Sequence, residues 1–288
     1  MDTPRLRILI LGSPEITWDG KPVSISRRMI RLLFYYVASQ NVPVSRSHLC
    51  QLFWPEADDS QAHKNLRESL SKLRSELPDP NLIIADEDEI SLDPQNVYID
   101  GREFQALVDP IVTKSTINSG ARLPDWMYLN LRKGIEMCRG AHILEGFSLP
   151  DSPGLENWLS LANQGYDYYR LRSLEYLAGH CIAIGNLNEA IDWLGKYADI
   201  DSLNTDNNYL ILNCLKERGR FKEAADLIIH LEKLHRTFSN EELPPSITAF
   251  RSRLDEFRHS ALPKEVFDWP GREDFHGTFV GREDLLKK

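Results

Sequence analysis

Apolar positions recur with a period of two at the start of the chain, where Leu6, Ile8 and Ile10 alternate with Arg7 and Leu9. That spacing sends successive side chains to opposite faces and predicts a strand. Ile16-Thr-Trp18 and Val23-Ser-Ile25 bracket Asp19-Gly20, a dipeptide suited to a two-residue hairpin turn, so a hairpin follows. The period then becomes helical. Met29, Ile30, Leu33, Phe34 and Val37 form one stripe, Ser26 stands where an N-cap belongs, and Arg27, Arg28 and Arg31 crowd the start. Pro43-Val44 breaks the pattern and Ser45 offers a second cap. Leu49, Leu52 and Phe53 give a short helix that Pro55 ends.

A third helix opens at Asp58, Asp59 or Ser60 and runs to Leu77. At ~100° per residue, Leu66, Leu70, Leu73 and Leu77 fall in one sector, with Lys64, Glu68, Ser71 and Ser75 opposite. Arg67 and Arg74 flank one edge, and Lys72 and Gln61 the other. Leu82–Ile84 and Ile90–Leu92 then bracket Asp86-Glu87-Asp88-Glu89 as a further hairpin. Strands, three helices and a closing hairpin are the order of a winged helix-turn-helix. An isolated helix of this kind is more often a solvated amphipathic surface. The capped helix before it, the short turn and the flanking strands reverse that expectation.

Such a head would read DNA with the outward side chains of helix 58–77. Arg67 and Lys64 would donate to guanine O6/N7, and Gln61 and Ser71 would touch other base edges. Arg27, Arg28, Arg31, Arg46, Lys72 and Arg74 are expected on phosphates, where they fix register without reading sequence. The four acids at 86–89 would be repelled by phosphate. They point away from DNA, meet a protein such as RNA polymerase, or form a solvated turn.

From Asp100 onward strand signals disappear. Residues 110–124 are rich in Pro, Thr, Ser, Asn and Gly and read as a loop, while Leu131–Cys138 and Glu156–Cys181 show helical periodicity. Gly185-Asn-Leu-Asn-Glu-Ala190 recurs as Gly219-Arg-Phe-Lys-Glu-Ala224, 34 residues later. That is the tetratricopeptide (TPR) period. Glycine ends one helix, Leu187 or Phe221 packs between helices, and Ala190 and Ala224 mark close helix approach. Leu194 and Ile228 match at the same interval, whereas Leu212 occupies a position that is usually small. Tyr166, Tyr168, Tyr169 and Tyr176 read as core and groove lining rather than a cofactor box.

Composition bounds the function. The net charge of −9 argues against nucleic acid until its distribution is considered. Residues 1–77 hold 11 Lys+Arg against 8 Asp+Glu, net +3, which leaves −12 on the remainder. A mildly basic head on an acidic body suits a modular regulator of modest non-specific DNA affinity. No apolar run approaches the ~18 residues of a membrane span, and no signal peptide is visible, so a cytoplasmic protein is expected. Cys50, Cys138, Cys181 and Cys214 are widely spread and no pair has zinc-ligand spacing. No nucleophile–base pair or GxxxxGK[ST] phosphate loop stands out. Histidines such as His48 and His180 are expected to be structural. The expectation is a non-enzyme without metal or cofactor.

The elements Leu6–Gly12, Asp19-Gly20-Lys21-Pro22-Val23, Arg27-Arg28, Pro43-Val44-Ser45-Arg46, Leu52-Phe53-Trp54-Pro55-Glu56-Ala57-Asp58 and Asn65-Leu66-Arg67-x-x-Leu70-Ser71-x-Leu73-Arg74 together resemble the DNA-binding domain of SARP/AfsR-type bacterial activators. The resemblance implies an OmpR-like winged helix whose third helix reads DNA. Phe104 to about Glu256 resembles the bacterial transcriptional activator domain of the same family, which implies dimerisation and coupling to a partner. Phe279-Val280-Gly281-Arg282-Glu283, after a Pro/Gly-rich stretch from Pro263 to Gly277, resembles the opening motif of STAND-type nucleotide-binding domains. On that resemblance the chain is the N-terminal part of a larger protein, and any ATPase activity lies in the absent C-terminal module.

The expected fold is mainly α with a small β component. Residues 1–99 form a winged helix-turn-helix, 100–260 an α-helical TPR-like domain, and 261–288 a linker and the start of a truncated module. The expected function is sequence-specific transcriptional regulation, with activation the expected direction, on double-stranded promoter DNA as a homodimer. The alternative is a TPR-type interaction adaptor with a degenerate winged helix.

Overall fold

The computed structural model describes residues 4–114, 116–118, 120–147, 152–238 and 241–261. The motif at 279–283 and the stretch 263–277 lie outside the described residues. Strand β1 (Leu6–Leu9) pairs antiparallel with β2 (Glu15–Trp18), placing Ile8 opposite Ile16. Asp19 and Gly20 take φ of 47° and 79° and turn β2 into the two-residue β3 (Lys21–Pro22), the positive-φ hairpin that Asp-Gly favours. Three helices follow: α1 (Arg28–Ser39), α2 (Arg46–Phe53) and α3 (Asp59–Glu76). The wing is β5 (Ile83–Ala85) and β6 (Glu89–Leu92), and β4 (Val44–Ser45) completes its three-stranded sheet in the order β4-β6-β5. Strand β7 (Val97–Ile99), too short for a periodic signal, returns parallel to β1 and closes a sheet in the order β3-β2-β1-β7.

Ser45 caps α2 by accepting from the His48 N–H, and Asp58 caps α3 by accepting from Gln61 N–H. Ser26 does not cap α1. Arg27 holds the cap position without a side-chain bond. Ser26 Oγ and N–H instead donate to the Glu76 carboxylate at the far end of α3, because a charged acceptor forms the stronger bond.

The predicted α1 stripe is buried except Met29, and Leu32, Tyr35, Tyr36 and Ala38 are buried as well. A helix covered on all sides has neighbours on both. One is the head core, where Leu6, Ile8, Phe34, Leu49, Phe53, Leu66, Leu70 and Leu73 meet. The other is the body: Tyr35 meets Phe147 edge-on at 5.6 Å, and Tyr36 meets Trp158 at 4.9 Å.

The body begins with α4 (Asp100–Val112). The loop expected over 110–124 starts later than its composition suggested. Phe104, Val108, Ile111 and Val112 make a buried helical stripe, and Pro110 is carried within it. Next come α5 (Asp125–Met137), the 31-residue α6 (Pro153–Ala183), α7 (Leu187–Ala198), α8 (Thr205–Glu217), α9 (Phe221–Phe238), α10 (Pro245–Ser252) and α11 (Leu254–Ala261). The two glycine turns are the same structure. Gly185 (φ 77°) lets Asn186 N–H reach back to Cys181 O at 2.8 Å, and Gly219 (φ 68°) lets Arg220 N–H reach Leu215 O at 2.9 Å. Both satisfy helix-end carbonyls by the Schellman arrangement. Ala190, Ala224 and Leu212 are each fully buried, so the repeat accommodates the larger residue at 212. Gly219→Ala should cost ~1–2 kcal/mol in urea unfolding, because a Cβ is strained at that φ.

The two cores are stitched by backbone. Leu144 N–H donates to Ile10 O and Glu145 N–H to Gly12 O, both at 2.9 Å, and Arg139 N–H donates to Leu11 O at 2.9 Å. Gly12 has φ +123°, and a Cβ there would sit 2.8 Å from Gly140 N, so only glycine permits this approach. Asp100, 3% exposed, accepts from Ile10 N–H at 2.7 Å and Leu11 N–H at 3.1 Å. It links the end of β1 to the start of α4. The histidines noted in the sequence are structural. His48 Nε2 bonds the Tyr36 hydroxyl at 2.7 Å, and His180 Nδ1 accepts from Leu123 N–H at 2.9 Å.

Candidate nucleic-acid interface

Leu66, Leu70, Leu73 and Leu77 are buried, with Ala62 beside them. Burying that edge turns the opposite side of α3 outward. Gln61, Lys64, Arg67 and Ser71 are all exposed, as are Glu68, Lys72 and Ser75. Gln61 Nε2 donates to Asn65 Oδ1 at 2.7 Å, one turn on. This fixes the amide of Gln61 at the N-terminal end of the exposed face. The residue that sequence reasoning left without a role is Glu68. It sits one turn from Lys64 on the same face, and a carboxylate there can accept from cytosine N4.

Both flanks of α3 are braced. On one, Arg74 Nη2 donates to Ile83 O at 3.1 Å, fixing the base of the wing against the helix. On the other, Glu76 accepts from Ser26 and pairs with Lys72 at 3.2 Å. The Ser26 link places the exposed pair Arg27-Arg28 beside the C-terminal end of α3. The Ser26 hydroxyl bond, with the backbone and Lys72 contacts behind it, holds the Glu76 carboxyl below its ordinary 4.5. A lowered carboxylate stabilises the fold above the unfolded value, and that contribution is lost as pH falls through the folded value. The melting temperature should therefore fall below about pH 4.5, and Glu76→Gln should flatten that acid limb in melts recorded against pH.

The six residues expected on phosphates are not alike. Arg27, Arg28 and Lys72 are exposed. Arg31, Arg46 and Arg74 are half-buried and each bonds a backbone carbonyl. Arg31 Nη1 reaches Ile25 O at 3.1 Å, and its guanidinium lies 5.4 Å from the Phe147 ring centre, facing the body. Arg46 reaches over the wing tip, donating from Nε to Asp86 O at 2.8 Å, while its N–H donates to Asp88 O at 2.8 Å.

The acidic turn is accordingly ordered. Asp86 Oδ1 accepts from Asp88 N–H at 2.9 Å and Glu89 N–H at 2.7 Å. These backbone donors, with Arg46 nearby, lower the Asp86 carboxyl from its ordinary value. Such a carboxylate closes an Asx-type turn. The wing tip is tied to the start of α2 through Arg46.

The four thiols are free. Cys50, Cys181 and Cys214 are buried, and burial pushes the Cys181 thiol up to about 12, which makes it a poor nucleophile. Among the described residues no group of three His, Cys, Asp or Glu could hold a metal ion, and no helix is long and apolar enough to cross a membrane. Tyr166 and Tyr176 are buried, Tyr169 donates to Asp109 at 2.7 Å, and Tyr168 is exposed.

Comparison with known proteins places the fold. No family model matches the sequence, and no curated protein matches it. Among solved structures, the chain is similar to Mycobacterium tuberculosis EmbR, solved in complex with a low-affinity phosphopeptide. The TM-score is 0.60 at 19% identity, over 89% of this chain and 69% of that one. The shared feature is the architecture, a winged helix joined to a helical domain.

Proposed function

We propose that this chain is a sequence-specific DNA-binding regulator of transcription, an activator of the SARP type, that reads the major groove with helix 58–77. The observation that carries this reading is the division of α3, with its leucine edge buried and Gln61, Lys64, Arg67 and Ser71 exposed together. EmbR, a SARP-family regulator, supports it through a common architecture.

In this reading Lys64 and Arg67 donate to guanine, Gln61 and Ser71 meet neighbouring base edges, and Glu68 accepts from cytosine. Arg27, Arg28 and Lys72 contact phosphate on one side of the groove. Arg74 and Arg46 hold the wing and position it, and Arg31 braces the head on the body. The acidic turn, drawn back onto α2 by Arg46, faces protein rather than DNA, and RNA polymerase is the partner proposed for it.

A good bidentate contact discriminates by ~1–3 kcal/mol, while operator specificity needs ~4–10 kcal/mol. One helix with two or three such contacts barely reaches that range, so two copies bind adjacent half-sites, with the helical body joining them. Selection of bound sequences from a random DNA pool is the test. The expected product is a repeated motif, with footprints spaced by about one helical turn. A one-to-one complex of full specific affinity would remove the dimer, and an unenriched pool would remove the function.

A further inference from the structure

Of the four side chains assigned to base edges, Gln61 is tethered and the others are not. Its backbone N–H donates to the Asp58 cap at 2.9 Å, and its side-chain Nε2 donates to Asn65 Oδ1 at 2.7 Å. Lys64, Arg67 and Ser71 form no side-chain hydrogen bond among the described residues. At ~100° per residue, Gln61 stands about 30° from the direction opposite the leucine edge, and Asn65 about 70°. Gln61 therefore faces outward, while Asn65, half-buried, sits on the shoulder of the helix. Gln61 also lies in the first turn of α3, the end that a recognition helix presents to base edges.

The direction of the Gln61–Asn65 bond decides what Gln61 has left to offer. A primary amide carries two N–H donors and a carbonyl acceptor. One N–H is committed to Asn65, so one donor and the oxygen remain. Adenine alone displays the matching pair on its major-groove edge, an acceptor at N7 and a donor at N6. Guanine displays two acceptors, O6 and N7, and would need both N–H groups. Thymine offers O4 and a methyl group, and cytosine only the N4 donor. An untethered glutamine has both N–H groups free and can serve either purine. The tether removes the guanine option, and it fixes a long, flexible side chain before DNA arrives, which lowers the entropy lost on binding.

We propose that Asn65 is a positioning residue that makes Gln61 specific for adenine. Gln61 Oε1 accepts from adenine N6, and its free N–H donates to N7. Asn65 acts through Gln61 and bonds no base itself. Lys64 and Arg67 read guanine at other positions of the same half-site. This assignment rests on the DNA-binding function proposed above.

The experiment uses the full chain and an operator selected from a random DNA pool. Each base pair is changed in turn to the other three, and affinity is read by fluorescence anisotropy. Gln61→Ala should erase an adenine-over-guanine preference of about tenfold at one position and leave the other positions intact. Asn65→Ala should let guanine bind at that position as well as adenine. It should melt no lower than the parent, because alanine is the better helix former. Asn65→Asp keeps the acceptor and should keep the adenine preference, although its charge weakens binding to every sequence. That rescue separates positioning from a general loss of helix order. An adenine preference that survives Asn65→Ala, or is lost in Asn65→Asp, would overturn the proposal. So would a Gln61-dependent position that prefers another base. An enriched operator with no position dependent on Gln61 overturns this assignment alone, whereas an unenriched pool removes it together with the DNA-binding reading.

Discussion

Replacing Lys64 and Arg67 together by alanine should lower specific DNA affinity by a hundredfold or more, while thermal stability changes little. Each side chain is exposed on α3, and each base contact is worth ~1–3 kcal/mol of discrimination. Neither residue makes a hydrogen bond or ion pair in the free protein among those described, so their removal strands no buried partner. The double variant should lose its preference for the selected sequence and converge on the affinity for random DNA. Arg27→Ala is the contrasting case. It should weaken selected and random DNA alike and reduce the salt slope by about 0.9 for each phosphate no longer neutralised. Fluorescence anisotropy at several salt concentrations measures both. Unchanged discrimination in the double variant would move the reading face elsewhere.

Asp100→Ala should cost more stability than any surface change, on the order of 2–6 kcal/mol, because it strands two buried backbone donors at ~1–3 kcal/mol each. Those donors are the N–H groups of Ile10 and Leu11, each of which donates to this carboxylate. Because they sit between the lobes, the loss should be felt in both. Denaturation followed by Trp fluorescence and by far-UV ellipticity should shift together. Desolvation raises the Asp100 carboxyl above its ordinary 3.8, against the backbone donors and Arg139 that lower it. The sign is therefore opposite to that of Glu76. A raised folded-state value favours folding at low pH, and that contribution is lost as pH rises through the folded value. Asp100→Asn keeps one acceptor oxygen and should fall between Asp100→Ala and the parent. A loss under 1 kcal/mol for the alanine variant, by equilibrium urea unfolding, would show that water replaces the carboxylate.

Much of the head was legible because its signals are local. Asp19-Gly20 fixes a turn by backbone sterics, Ser45 and Asp58 fix helix starts through their own neighbours, and the leucine spacing of α3 fixes its buried edge. The two glycine turns of the body were legible for the same reason, since φ near 70° is a property of single residues. Signals failed where a residue answers to a distant partner. Ser26 reads as a cap but is taken by Glu76, fifty positions away. Residues 110–112 read as loop from their composition but extend α4, since Ile111 and Val112 complete its buried face.

The candidate site divides along the same line. The exposure of Gln61, Lys64, Arg67 and Ser71 follows from helical geometry and was readable in advance. The differing states of the basic residues were not, because a charge count cannot tell Arg27, in solvent, from Arg46, Arg74 and Arg31, each tied to a carbonyl. Burial of α1 on both sides and the Asp100 clamp were likewise invisible. The sequence by itself determined most elements of the head, the caps of α2 and α3, the glycine turns of the repeat and the inward edge of α3, because these depend on periodicity and backbone preference within a few residues. Tertiary structure alone decided how head and body join, through contacts 90 to 124 positions apart, and which arginines are tied to backbone carbonyls, because neither leaves a periodic trace in the chain.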